Sequence, residues 1–148
     1  MLRVIRMAII ELLVGLKIPD TTAITTFHKM KELGYKITKL SRLVYYKFDV
    51  GCEIEKFQKK IVNTDILVNS NKNTSKTLSG MNIPKSVLIQ SIENDCDGIL
   101  ETLKKLGFDS IRSMSQGILW TFDASEEEIQ KATEDLLYNK HYQKVRYT

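Results

Sequence analysis

Glycine and proline are scarce, seven and two among 148 residues. The sequence carries no Gly-x-Gly-x-x-Gly, no Gly-x-x-x-x-Gly-Lys-Ser/Thr and no Gly-x-Ser-x-Gly string. With them go the glycine-built cradles for dinucleotides and phosphates and the exposed serine of hydrolases. Two cysteines, Cys52 and Cys96, are too few for a disulfide scaffold or a four-thiolate metal site, and read as thiols of a reducing compartment. Cys96 lies between Asp95 and Asp97, whose negative charges oppose an activated thiolate. The two histidines, His28 and His141, have no third ligand spaced to join either in a metal site. No catalytic residue, cofactor or metal is therefore expected.

Long apolar runs are missing too. The longest, Met7 to Leu16, falls short of the roughly 20 residues that span a bilayer. Glu11 interrupts it, Lys17 closes it and no small-x-small cleavage site follows, so it reads as a buried strand rather than an export signal. A cytoplasmic protein is expected. The chain is also well below the roughly 250 residues of a (β/α)₈ barrel.

What is present is ordinary globular composition, 43% hydrophobic and 27% charged, distributed unevenly. Residues 1–80 hold 14 basic against 7 acidic side chains, and residues 81–148 hold 8 against 11. A basic half followed by an acidic half fits a nucleic-acid face or two modules that attract each other. Between Val68 and Pro84 the chain is polar and reads as a linker. The domains expected are residues 1–70 and 84–148, joined by 71–83.

The two segments repeat. Lys31-Glu-Leu-Gly-Tyr35 matches Lys104-Lys-Leu-Gly-Phe108 at an offset of 73, and Ile37, Leu40, Phe48 and Asp49 match Ile111, Met114, Phe122 and Asp123 at an offset of 74. Each half reads as strand, helix, hairpin, helix, strand. The helical stripes are Ile24, Phe27, Met30 and Leu33, closed by Gly34, and Ile99, Leu100, Leu103 and Leu106, closed by Gly107. The hairpins are expected to turn near Ser41-Arg42 and Gln116-Gly117. Ser125 followed by Glu126, Glu127 and Glu128 signals a capped helix with Ile129, Ala132, Leu136 and Leu137 as its buried stripe. Ile54, Phe57 and Ile61 form its first-half equivalent. Closing strands are expected near Ile66 to Val68 and Gln143 to Tyr147.

The fold class expected is α+β: two tandem ferredoxin-like (βαββαβ) modules with antiparallel sheets and helices on one face, forming a pseudo-two-fold pair. Tyr45 and Tyr46, being adjacent on a strand, face opposite ways. Open-face candidates on the inner strands are Tyr45, Lys47, Trp120 and Thr121, with Arg42 and Gly117 at the hairpin tips. These six are the expected partner interface.

Each half resembles the small PurS subunit of phosphoribosylformylglycinamidine synthase, a ligase of purine biosynthesis. The resemblance rests on the turns into helices at Ile18-Pro-Asp20 and Asp95, and on the helix ends Leu33-Gly-Tyr35 and Leu106-Gly-Phe108. It extends to the segments closing on Phe48-Asp49 and Phe122-Asp-Ala124, and to the helix Ser125-Glu-Glu-Glu-Ile129 running to Asn139. It covers nearly the whole chain outside residues 69–83, as two copies. Where the family tends to carry Arg-x-Gly-Lys, this chain has Ser41-Arg-Leu-Val44 and Ser115-Gln-Gly-Ile118, so only Gly117 agrees. The resemblance implies a non-catalytic subunit that holds glutaminase and synthetase subunits together for ammonia transfer, and it implies self-association, here as a fused pair. Two other readings fit the same topology. A tandem ACT-like module would bind an amino acid between domains, and an RNA-binding protein would use the basic first half.

Overall fold

The computed structural model describes residues 8–51, 54–69, 71–78, 85–93 and 96–147. The protein is α+β, with a six-stranded antiparallel sheet and four α-helices. The first half runs β1 (Ala8–Leu16), α1 (Thr21–Glu32), β2 (Lys39–Val50), α2 (Ile54–Val62) and β3 (Asn73–Leu78). The second runs β4 (Ser86–Ser91), α3 (Asp97–Lys105), β5 (Ile111–Asp123), α4 (Glu126–Ala132) with a π-helical turn (Thr133–Leu137), and β6 (Gln143–Tyr147). The sheet order is β3-β1-β2-β5-β4-β6.

The hairpins expected at Ser41-Arg42 and Gln116-Gly117 are not formed; β2 and β5 are single strands of 12 and 13 residues. Tight hairpin turns need positive φ at one or both central residues. Among the described residues positive φ occurs at Gly34, Gly107, Asp65 and Lys85, and not at either expected turn. Each half thus contributes three strands, and its long middle strand pairs with that of the other half. The register sets Lys39 against Asp123, Arg42 against Trp120 and Asp49 against Ser113, with a bulge before Val50. At its centre Val44 faces Ile118, which lies 74 positions further along the chain.

The strand expected near Ile66 to Val68 is also displaced. Leu67 and Val68 are buried in the core as a loop, and the edge strand is Asn73–Leu78, inside the stretch expected as a linker. An edge strand needs no apolar face, and its threonines and serine suit extended backbone without marking it by hydrophobicity. β4 and β6 lie where the sequence places them.

All four helices pack on one face of the sheet, over two cores that both halves build. Phe57 and Ile61 of α2 and Leu103 of α3 cover Ile10, Leu12, Phe48, Val50 and Met114. Ala23 and Met30 of α1, with Ile129 and Ala132 of α4, cover Val87, Ile89, Trp120 and Phe122. The stripe expected on α1 is rotated: Met30 is fully buried, whereas Ile24 and Leu33 are 45% and 54% exposed. Leu106, like Leu33, is a helix C-cap residue turned outward. Gly34 and Gly107 then adopt φ of +87° and +99°, a conformation glycine takes without the steric cost of a Cβ. The Ser125 hydroxyl caps α4 by accepting from the Glu128 amide at 3.3 Å. Among the described residues no helix is long and apolar enough to cross a membrane.

Candidate functional site

Side chains alternate along β2 and β5, so the antiparallel register sorts the six expected interface residues between two faces. Tyr45, Lys47, Gly117 and Thr121 lie on the helix-free face. Arg42 and Trp120 lie under the helices, and Trp120 is 6% exposed, which removes it from the open face. Arg42 and Gly117 are mid-strand residues rather than turn tips.

The helix-free face has its own buried centre. Leu13, Tyr45, Leu88 and Leu119 come from four strands and are each at most 5% exposed. The Tyr45 hydroxyl donates to Glu11 Oε2 at 2.6 Å, and the positive charge of Arg146 on β6 acts on it. Arg146 stands on the same face of the sheet as Tyr45, three strands away in sheet order. Burial, then the hydrogen bond and charge of Glu11, push the Tyr45 hydroxyl far above its ordinary range, and Arg146 offsets part of this. Lys47 stands between Glu11 and Ser115 in register. Thr121 exchanges a hydroxyl hydrogen bond with Ser41. Gly117 faces Tyr45, and a Cβ on it would come within 2.7 Å of both the Ile89 carbonyl oxygen and Gln90 Cγ.

On the helix side, Asp20 joins three elements. As the N-cap of α1 it accepts from the Thr22 and Ala23 amides at 3.0 and 3.2 Å. It also takes a bidentate pair from Arg42, at 2.9 and 3.2 Å. Arg42 in turn lies 5.9 Å from the Trp120 ring centroid. Burial raises the Asp20 carboxyl, but Arg42 and the two amides outweigh it and hold it below its ordinary value. Beside this pair a groove of about 290 Å³ runs along Leu16, Ile18, Pro19, Ile24 and Leu43. The corresponding corner of the second half, around Gln90, Ile92, Glu93, Ser115 and Gln116, is about 130 Å³ and more polar.

The sequence reading missed Glu11 and Arg146 as partners of Tyr45. Glu11 was visible as a lone carboxylate inside an apolar strand; Arg146 becomes legible only once the strand order and register are known. Among the described residues no group of three or more His, Cys, Asp and Glu side chains is placed to hold a metal. Cys96 is buried, and Cys52 lies outside the described residues. Compared with protein-family models and with curated proteins, the sequence matches none.

Proposed function

We propose that the chain is a non-catalytic PurS-type subunit of a phosphoribosylformylglycinamidine synthase, in which two ferredoxin-like modules are fused into one covalent pseudo-dimer. The observation that carries this reading is the central register. Val44 faces Ile118 across β2 and β5 at a separation of 74 residues, the offset that aligns Ile37 with Ile111 and Phe48 with Phe122. Two copies related by a two-fold axis meet in this way, each offering the same strand to the other. The resemblance then supplies the role: the fused pair holds a glutaminase and an ATP-dependent synthetase together so that ammonia passes between them. Of the six residues expected at the interface, Arg42, Lys47, Gly117 and Thr121 keep solvent-accessible surface, and partner contacts are assigned to them rather than to buried Tyr45 and Trp120.

The test is reconstitution. The chain is mixed with the glutaminase and synthetase subunits from its own source, and glutamine-dependent amidation of formylglycinamide ribonucleotide is followed. Co-elution of all three proteins, with activity that requires this chain, supports the reading. If both subunits elute apart from the chain, and amidation proceeds equally without it, the reading fails.

A further inference from the structure

Among the described residues, β6 pairs with β4 alone, and no described strand lies along its other edge. The orientation of that edge follows from one hydrogen bond. The Ile92 amide donates to the Tyr142 carbonyl at 2.9 Å, in line with the register that pairs Ser91 with Gln143. Backbone groups alternate direction along an antiparallel strand. Lys144 and Arg146 therefore turn their amides and carbonyls toward β4, while Gln143, Val145 and Tyr147 turn theirs outward; the Gln143 amide is taken by the Asn139 carbonyl at 2.8 Å, which leaves the amides of Val145 and Tyr147 to an added strand.

Charge decides what can pair with this edge. Lys144 and Arg146 project from the helix-free face, opposite Gln90 and Leu88. In a two-fold β6-to-β6 pair, residues opposite each other share a face, so each register sets Lys144 or Arg146 directly against a like charge, which destabilises the pair. Pairing with β3 of another copy sets the same cations beside Lys76, which shares the helix-free face with Leu13. Basic side chains on an edge guard it against copies of itself, yet suit a strand that brings carboxylates. On the other side of β6, Val145 is half-buried, and Tyr147 borders a groove of about 330 Å³ with Ser86, Ile129 and Gln130.

We propose that the free edge of β6 accepts an added strand from an acidic protein partner. The segment is extended and alternates carboxylate with apolar side chains, its carboxylates opposite Lys144 and Arg146 and its apolar side chains against Val145 and Tyr147. Main-chain hydrogen bonds supply affinity, and the alternation supplies register and specificity. This surface stands independently of the purine-ligase reading.

The test uses the full chain and two fluorescent heptapeptides, one alternating Glu with Val and one alternating Lys with Val, with binding followed by anisotropy. The Glu/Val peptide is expected to bind and the Lys/Val peptide to fail. Val145→Pro removes an outward amide and leaves the β4–β6 ladder intact, and is expected to abolish binding. Lys144→Glu alters an exposed side chain and is expected to weaken binding about fivefold, the scale of one cross-strand charge pair. Thermal melts establish that each variant is folded. The proposal is overturned if the Glu/Val peptide does not bind, if both peptides bind alike, or if folded variants bind as wild type does. Displacement of the peptide by oligouridylate whose own binding is insensitive to Val145→Pro would likewise overturn it.

Discussion

Asp20 shows how much one carboxylate can organise. It ends the approach to α1, supplies that helix's cap and fixes Arg42 over Trp120. Replacing it in two steps separates these roles. Asn remains a good N-cap but lacks the charge, so Asp20→Asn is expected to cost about 1 kcal/mol at pH 7, the scale of a partly exposed charge-assisted pair. Asp20→Ala also loses the cap and is expected to cost about 1 kcal/mol more. The pH dependence has a definite sign. The carboxyl is held below its unfolded value of 3.8, so its contribution is fully present above that value and is lost as pH falls through the lower folded value. Urea unfolding of wild type and Asp20→Asn from pH 7 to pH 3 should give a constant gap down to about pH 5 that closes below pH 4. A gap that persists unchanged at pH 3 would show that the ion pair contributes nothing.

At the scale of elements, the sequence reveals features whose cause is local. Gly34 and Gly107 mark helix ends because the backbone there needs positive φ, and Ser125 marks a helix start because its hydroxyl meets an orphan amide. Alternation separates Tyr45 from Tyr46, but nothing local says which face the helices cover; that depends on where α1 and α4 dock, and Trp120 is buried by them. The two missing hairpins have the same origin. Ser41-Arg42 and Gln116-Gly117 read equally well as turns or as small and polar positions within a strand, and a partner strand 74 residues away decides between them. Gly117 is required for a reason unrelated to turning, since a side chain there would strike the β4 backbone at Ile89. Gly117→Ala is therefore expected to destabilise the protein by roughly 1–3 kcal/mol through overpacking of the β4–β5 seam. A thermal melt reads this directly, and a variant as stable as wild type would mean that β4 yields without cost.

At the scale of the molecule, neither half encloses a core by itself. Phe57 and Ile61 pack with Leu103, Phe108 and Met114 from the other half, while Ala23 and Met30 pack with Val87, Trp120 and Ile129. Polar contacts follow the same exchange: Lys60 Nζ donates to the Gly107 carbonyl at 3.3 Å, the Lys36 amide donates to Glu128 at 3.2 Å, and Tyr35 bonds Asp135. A lone half would expose the long edge of its middle strand together with the apolar faces of its helices. Residues 1–78 expressed alone are thus expected not to fold as a monomer, because a chain of that size is marginal even with a complete core. Co-expressed with residues 85–148 as a separate chain, they are expected to form a one-to-one complex with the circular dichroism spectrum of the intact protein. Joining the two halves raises their effective concentration without adding a contact, so the split complex should dissociate on dilution while the intact chain does not. Sedimentation of the two-chain complex over a dilution series measures this. A cooperatively folded monomer of residues 1–78 would show that the shared cores are dispensable and that the two halves are separate domains in contact rather than one jointly folded unit.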